Sequence, residues 1–233
     1  MNHDPLRGGL ILALDISMYV VVGMLIWTGR SGLAHFNVDR ISLVIILLFG
    51  SILNAGADPT LNLLVFAHFA VPFAGSAGLL YWLRRSGSFP GASRPGVWIW
   101  ISAGIAFSLL VTLPGLLTSL GPWGCTRFSS GTSTVLLWGF MTGMSRAAIL
   151  EEPVFRGFLW GHLREKGWND KVIWLSQAAL FWLAHLNYVQ KPFTFWLVIP
   201  LSGLAYGWLA WKSRSVAPSM LAHGVYNSLA AVL

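Results

Sequence analysis

A set of ionisable and amide side chains lies inside long apolar segments of this sequence, where acid–base chemistry becomes possible. The set comprises Glu151, Glu152, Arg156, His185, His223 and Asn227. An ionisable side chain inside a membrane-spanning segment costs a few kcal/mol of insertion free energy, so it marks a functional site by default. Three further residues lie in apolar segments without an assignable role: Asp15, His68 and Arg146.

Spacing within the set separates the two carboxylates. Glu152 and Arg156 are four residues apart, so a helix places them on one face, where they can form an internal ion pair. Adjacent helical residues point about 100° apart, which leaves Glu151 free to face another helix. His223 and Asn227 show the same spacing of four. The alternative interpretation is that Glu151 and Glu152 are ordinary boundary charges at the membrane interface.

Chain geometry brings residues from three segments to a similar depth. A helical hairpin with its turn near Gly167 places His185 level with Glu151. His223 follows Lys212 by about 11 residues, which is roughly 16 Å along a helix. We therefore expect these side chains to converge inside the membrane, in a site reached from the cytoplasmic side.

The elements that position these residues are predicted to be transmembrane helices. The chain is 55% hydrophobic and only 10% charged, with a mean hydropathy of +0.66. Soluble proteins contain about 25% charged residues, so the composition disfavours a soluble enzyme. Continuous apolar runs favour helices over the alternating strands of a barrel. We predict an all-α, polytopic transmembrane bundle of about eight spans: 10–28, 41–57, 61–83, 97–119, 133–155, 171–188, 193–211 and 216–233.

The second predicted span, 41–57, is short, so seven spans remain an alternative, with this segment dipping into the membrane without crossing it. Glycine pairs four residues apart predict close helix packing. They are Gly139 with Gly143, Gly157 with Gly161, and Gly203 with Gly207.

Lysine and arginine are distributed unevenly over the predicted loops. The odd-numbered connections carry Arg30, Arg40, Arg84, Arg85, Arg94, Arg164, Lys166, Lys171, Lys212 and Arg214. The N-terminus and the even-numbered connections carry only Arg7, Arg127 and Lys191. Because cytoplasmic loops carry the excess of positive charge, we predict that the odd connections are cytoplasmic and that both termini lie on the opposite side. The scattered charges do not indicate nucleic-acid binding.

Three motifs in the C-terminal half resemble those of a known family. They are Glu151-Glu152-Pro-Val-Phe-Arg156, Phe181-Trp-Leu-Ala-His185 and His223-Gly-Val-Tyr-Asn227. In type and order they resemble the EExxxR, FxxxH and HxxxN motifs of the CPBP (ABI) family of intramembrane proteases, which includes type II CAAX prenyl endopeptidases. The resemblance covers residues 133–233, which would form a catalytic core of four helices. Residues 1–132, with four more helices, carry no recognised motif, and both parts would form a single integral-membrane domain.

The resemblance implies a role for each site residue. Glu151 would activate a water molecule for attack on a peptide bond, and His185 would position that water. His223 and Asn227 would stabilise the oxyanion. Three residues would support the site: Glu152, Arg156 and Phe181. The implied enzyme is a multi-pass protein of a bacterial or archaeal membrane, in contact with lipid, whose apolar or lipid-anchored peptide substrate enters laterally.

Alternatives to this mechanism remain open. Glu151, His185 and His223 could together bind Zn²⁺ with an open position for water. We favour a site without a cofactor, because Asn227 is a poor zinc ligand and a good oxyanion donor. A non-catalytic immunity or scaffold protein of the same fold is a second alternative, which the complete set of four residues disfavours. A proton-coupled transporter predicts an internal repeat, and the sequence shows none.

Overall fold

Helices form every regular element in the part of the chain that the computed structural model describes, residues 17, 20–50, 62–119, 132–146 and 151–231. The N-terminal half comprises α1 (20–28), a 3₁₀ segment (Arg30–Phe36), α2 (Arg40–Gly50), α3 (Asn62–Arg85) and α4 (Val97–Ser119). The C-terminal half begins with α5 (Thr132–Arg146), a π-helical stretch (Pro153–Leu159), α6 (Trp160–Glu165) and α7 (Asp170–Leu183). It continues with a 3₁₀ turn (Leu186–Tyr188), a second π-helical stretch (Thr194–Val198), α8 (Ile199–Ser213) and α9 (Ala217–Ala230). The predicted all-α class is confirmed for these residues.

Two of the described helices are long and apolar enough to cross a membrane, Val97–Gly115 and Thr194–Ser213. The segments Arg30–Phe36 and Arg40–Phe49 would together make a third candidate, although a bend of 103° separates them. Such a bend suits either a broken span or a segment that returns to the side from which it came. The predicted eight spans and their seven-span alternative therefore stay predictions, and Asp15 lies outside the described residues.

Large apolar side chains point outward from several helices. Ile99, Leu110 and Leu137 are 72%, 66% and 65% exposed, respectively. A soluble monomer rarely exposes apolar surface on this scale, whereas a hydrocarbon environment removes the cost. Together with the apolar composition, these outward faces are those of an integral membrane protein.

The glycine pairs lie at close helix contacts, as predicted. A Cβ atom at Gly143 would lie 2.6 Å from Cβ of Asn227 on α9, and one at Gly139 would lie 3.0 Å from Cβ of Ala231. In α8, a Cβ atom at Gly207 would overlap Gln177 of α7. Because these positions lack a Cβ atom, the backbones approach closely enough to pack without a hydrophobic driving force.

Four connections gather on one face of the molecule, and we call this the basic face: residues 29–39, 86–96, 166–169 and 214–216. The backbone N–H of Ile41, directly after the first of these connections, lies 3.4 Å from Oγ of Ser93 in the second. Nη1 of Arg164 donates to Oδ1 of Asn37 at 3.1 Å, and the N–H of Val216 donates to the carbonyl of Asn37 at 2.9 Å. In or beside these connections lie all ten cations of the odd-numbered loops: Arg30, Arg40, Arg84, Arg85, Arg94, Arg164, Lys166, Lys171, Lys212 and Arg214.

Candidate active site

A helical hairpin positions the first two polar residues of the site. Asn169 caps α7, since its side chain accepts a hydrogen bond from the N–H of Val172 at 3.0 Å. Gly167 adopts a φ of 81° in the turn before it, a conformation that glycine adopts without strain. The turn reverses the chain, so that Glu151, before α6, and His185, after α7, come to the same depth.

Glu151 lies between two histidines from different helices. Its Oε2 atom is 3.7 Å from Nε2 of His185 and 3.9 Å from Nε2 of His223. This Oε2 atom is buried and has no hydrogen-bond partner. An unpaired buried carboxylate oxygen carries a desolvation cost, so the arrangement suits a small polar molecule held between the three side chains. The structure thus brings Glu151, His185 and His223 together.

The other ring nitrogen of each histidine is engaged in a hydrogen bond. Nδ1 of His185 lies 2.8 Å from the carbonyl oxygen of Phe181, which can only accept, so Nδ1 donates. Nδ1 of His223 lies 2.9 Å from Oε1 of Glu152, which also accepts from Arg156. In the neutral rings, both Nε2 atoms therefore carry lone pairs directed to the space beside Glu151. A water molecule there could donate one hydrogen bond to Glu151 and one to a histidine.

The ion pair of Glu152 and Arg156 is present and fully buried. Nη1 of Arg156 lies 3.3 Å from Oε1 of Glu152, and neither side chain is exposed. The guanidinium also lies over the ring of Phe181, 4.1 Å from its centroid. A buried ion pair is tolerated only where further contacts compensate for the lost hydration. His223 supplies one such contact, which the spacing of the sequence did not reveal.

A cavity of about 370 Å³ adjoins the site. Its floor is formed by His223 and Tyr206, whose rings stack with centroids 5.1 Å apart, and Asn227 lies on the same wall one turn beyond His223. The exposed lining residues are Tyr188, Lys191 and Ala230, in the connection after α7 and at the end of α9. These exposed residues lie at the end of the helices away from the odd-numbered connections, and the predicted access from the cytoplasmic side stays a prediction.

Sequence reasoning missed two buried hydroxyl-bearing residues of the cavity. Ser202 and Tyr206 line it from one face of α8 and are 5% and 1% exposed. Their spacing of four inside an apolar segment was the available signal. It is weak, because a serine or tyrosine in a membrane helix commonly packs without a chemical role.

The zinc alternative can be compared with the placement of its three ligands. Tetrahedral zinc binds nitrogen and oxygen at about 2.0–2.2 Å, which sets the ligand atoms about 3.3 Å apart. The distances from Glu151 to His185 and His223 are longer, at 3.7 and 3.9 Å. Among the described residues, no group of three or more His, Cys, Asp or Glu side chains has a geometry that would hold a metal ion. As placed, the three side chains are spaced more widely than the ligands of a tetrahedral zinc, and the metal dependence of the protein stays a prediction.

Comparison with known proteins identifies the segment that carries the site. Residues 132–229 match the family model described as Type II CAAX prenyl endopeptidase Rce1-like. The match includes all three motifs, and it confirms the resemblance read from the sequence. A search of curated proteins and a search of solved structures each found no match.

Proposed function

Since residues 132–229 carry an Rce1-like domain, which supports a protease of the CAAX type, we propose that this chain is an intramembrane endopeptidase in which Glu151 activates the attacking water. The observation that carries the proposal is the convergence on one point of a carboxylate oxygen and two histidine nitrogens from three helices. A scaffold would have no need for an unpaired buried carboxylate oxygen, which costs free energy and adds no packing.

The proposed reaction begins with a water molecule held between Glu151 and His185. Glu151 takes a proton as the water oxygen attacks the carbonyl carbon of the substrate, and Nε2 of His185 accepts the second O–H and orients the lone pair. The amide N–H of Asn227 donates to the oxyanion that forms. Collapse of the intermediate breaks the C–N bond, and Glu151 returns its proton to the leaving amine. The products are a carboxylic acid and an amine, and the acid then ionises by giving its proton to the amine.

His223 has a conditional part in this scheme. The Nδ1–H of His223 donates a hydrogen bond to Glu152. Nε2 of His223 can therefore donate to an oxyanion only when both ring nitrogens are protonated. In the neutral ring, Nε2 is instead a second acceptor for the water. We assign Asn227 as the unconditional oxyanion donor and His223 as the residue that changes role with its protonation.

The substrate we propose is an apolar or lipid-anchored peptide segment that enters from the membrane. The cavity volume of about 370 Å³ lies at the lower end of the range for ligand pockets, roughly 300–1,000 Å³. Phe181, Val198 and Ile199 supply apolar walls, so a short apolar peptide would be desolvated there at low cost.

Purified protein in detergent can test this chemistry with two probes, a farnesylated peptide that ends in a CAAX sequence and an unprenylated apolar peptide. We expect Glu151→Gln to lower turnover by at least about a hundredfold, because it removes the general base without changing shape. Asn227→Ala should lower turnover about a hundred- to a thousandfold, the usual loss for one oxyanion donor. Both variants should keep the melting temperature of the parent protein.

The same preparation separates the two alternatives. One tightly bound zinc per chain, lost together with activity on chelation, would replace the glutamate mechanism with a metal mechanism. Failure of the parent protein to cut either probe, or any membrane peptide in a comparison of C-termini between parent and Glu151→Gln cells, would favour the non-catalytic protein.

A further inference from the structure

Asn37 is a buried side chain of the N-terminal half that lies against the helices of the candidate site. It is 0% exposed and follows the 3₁₀ segment Arg30–Phe36. Its φ of 55° and ψ of 19° are left-handed, a conformation that asparagine adopts more readily than most residues. The family match begins at residue 132, and no motif covers Asn37, so neither assigns it a role.

The side-chain amide of Asn37 binds two residues that follow the paired glutamates. Its Nδ2 atom donates to the backbone carbonyl of Arg156 at 2.8 Å, within the π-helical stretch Pro153–Leu159. Its Oδ1 atom accepts from Nη1 of Arg164 at 3.1 Å. Because a carbonyl only accepts and a guanidinium only donates, these partners fix the orientation of the amide. π-Helical turns are rare and frequently lie at functional sites, and Asn37 supports this one by a hydrogen bond from outside the helix.

The backbone of Asn37 binds the helix on the other side of the site. Its carbonyl oxygen accepts from the N–H of Val216 at 2.9 Å, at the start of α9. His223 follows Val216 by seven residues, which is about 10 Å along the helix. Asn37 therefore joins the backbone of Arg156 to the first turn of α9.

The two helices that Asn37 joins meet again at the site itself. Arg156 pairs with Glu152, and Glu152 accepts from Nδ1 of His223 at 2.9 Å. Oε2 of Glu151 lies 3.9 Å from Nε2 of His223. These contacts depend on the distance between the π-helical stretch and α9. A change of about 1 Å in that distance is large enough to lower turnover about a hundredfold.

We propose that Asn37 is a positioning residue for the reaction, which holds the segment that carries the two glutamates at a fixed distance from α9. This inference rests on the proposed endopeptidase function for the effect on turnover, and on the hydrogen bonds alone for the link between the helices. Asn37 does not line the cavity, so it acts on the water through Glu152 and His223 and not by touching the substrate. The first connection of the N-terminal half is then part of the frame of the site.

Asn37→Gly separates the contribution of the side chain from that of the backbone. Glycine adopts a positive φ without strain and keeps the carbonyl that accepts from Val216, but it removes the donor to Arg156. We expect kcat on the detergent probes to fall about ten- to a hundredfold, while KM stays within about twofold because the cavity walls are unchanged. An unchanged kcat would overturn the proposal.

Asn37→Asp removes the same donor and keeps the acceptor for Arg164. It places a carboxylate oxygen against the carbonyl of Arg156, so kcat should fall at least as far as in Asn37→Gly. A kcat equal to that of the parent protein in Asn37→Asp would mean that only the contact with Arg164 matters, and it would overturn the role given to the hydrogen bond with Arg156.

Leu83→Ala is the control for a general loss of stability. Leu83 is fully buried in α3, which packs against α2 rather than against the helices of the site. Its truncation leaves a cavity that lowers the melting temperature, and the folded, purified variant should keep the kcat of the parent protein. Equal losses of kcat in Leu83→Ala and Asn37→Gly would overturn the positioning role.

A double variant distinguishes positioning from a loss of folded protein. If Asn37 acts by placing α9, removal of the oxyanion donor of Asn227 takes away part of what Asn37 supports. Asn37→Gly should therefore lower kcat at least about threefold less in an Asn227→Ala background than in the parent protein. Equal losses in the two backgrounds would mean that the two effects are independent, which contradicts the proposal.

Hydrogen–deuterium exchange tests the link without any need for activity. In Asn37→Gly, the backbone amides of 153–165 and 216–223 should exchange about fivefold faster, the effect of one lost hydrogen bond. The amides of α3 should exchange as in the parent protein, and unchanged exchange in the first two segments overturns the link. If exchange changes as expected and the parent protein cuts neither probe, the endopeptidase function has failed while the link between the helices stands.

Discussion

Glu152 has two partners in the buried part of the site. It accepts from Arg156 at 3.3 Å and from His223 at 2.9 Å, and its side chain has no exposed surface. Through Arg156 it also fixes a cation over the ring of Phe181. A carboxylate in this position holds the site together and determines which nitrogen of His223 carries the proton.

Replacing the Glu152 carboxylate should lower the stability of the folded protein. Glu152→Gln leaves Arg156 without a counter-charge, and breaking a buried ion pair typically costs about 3–5 kcal/mol. We expect a lower yield of folded protein and a lower melting temperature in detergent, together with lost turnover. Thermal melting followed by fluorescence of the tryptophans measures the first effect.

Glu151→Gln is the matched control, because it changes the neighbouring carboxylate and leaves the ion pair intact. It should melt with the parent protein while turnover is lost. A Glu152→Gln protein that also melts with the parent but is inactive would contradict the structural assignment and place Glu152 in the reaction.

At the scale of single residues, the sequence predicts contacts within a helix better than contacts between helices. The spacing of Glu152 and Arg156 was sufficient to predict their ion pair, because helix geometry alone brings residues four apart together. The hydrogen bond between Glu152 and His223 spans 71 residues, and no local pattern encodes it. The stacking of His223 on Tyr206 depends in the same way on how α8 and α9 pack.

At the scale of elements, α5 holds α9 in place through a glycine contact. A methyl group at Gly143 would lie 2.6 Å from Cβ of Asn227, closer than such atoms approach in proteins. We expect Gly143→Ala to displace Asn227 and lower turnover on the order of a hundredfold, the usual cost of a displacement near 1 Å in a catalytic geometry. Turnover of the two detergent probes measures it.

Gly78→Ala in α3 is the control for this substitution. A Cβ atom at Gly78 meets nothing within 4 Å, so the change only adds helix propensity, worth about 1 kcal/mol or less. Turnover should be unchanged. Full activity in Gly143→Ala would mean that the position of Asn227 is unimportant and would weaken its assignment as oxyanion donor.

Asp170, on the basic face, stabilises the connection between α6 and α7. Its carboxylate binds Nε of Arg164 at 2.6 Å and Nη2 of Arg214 at 3.0 Å, and it accepts from the indole of Trp160. Burial raises the pKa of Asp170, but these hydrogen bonds and positive charges outweigh burial and lower the pKa below its usual 3.8. The carboxylate therefore stabilises the fold at neutral pH.

The lowered pKa of Asp170 makes the stability of the fold depend on pH. A carboxyl group with a lowered pKa in the folded state contributes stability above its unfolded pKa, and that contribution is lost as the pH falls through the folded value. We expect the melting temperature to decline below about pH 4. Asp170→Asn should melt lower than the parent at pH 7 and show a shallower acid decline; parallel curves for the two proteins would contradict this role.

Helix limits in the C-terminal half were largely predictable. The segments 171–188, 193–211 and 216–233 correspond closely to α7, α8 and α9, because apolar runs flanked by charge determine where a helix leaves the membrane. The segment 133–155 includes α5 and the start of the π-helical stretch Pro153–Leu159, while residues 147–150 lie outside the described part of the chain. Hydropathy carries no signal for a π-helical stretch, since its residues are as apolar as those of an α-helix.

At the scale of the whole molecule, the topology predicted from charge can be tested at two positions. A reporter fused after residue 90 should be active on the cytoplasmic side, because 86–96 belongs to the basic face. A reporter at the C-terminus should be active on the opposite side, since α9 starts at the basic face and runs away from it. A cytoplasmic C-terminus would contradict the assignment of sides.

The sequence predicted the gathering of the odd-numbered loops on one face of the molecule. Charge counting was sufficient for this, because the rule depends only on composition. The packing of α4, α5 and α8 against α9 could not be predicted in the same way, because these contacts join helices that are far apart in the sequence. The predicted access to the site from the cytoplasmic side stays a prediction.

The buried pair of Glu152 and Arg156 also has a consequence for biosynthesis. Each such charge disfavours membrane insertion by about 2.5–3.5 kcal/mol, and the contacts that offset this cost are supplied later: Phe181, the carbonyl of Gly203, and finally His223. At about 5–20 residues per second, the ribosome reaches His223 about 4–14 seconds after Glu152. A nascent chain that stops before α9 leaves this pair without its last partner, so we expect such a chain to be less stable in the membrane than one that includes α9.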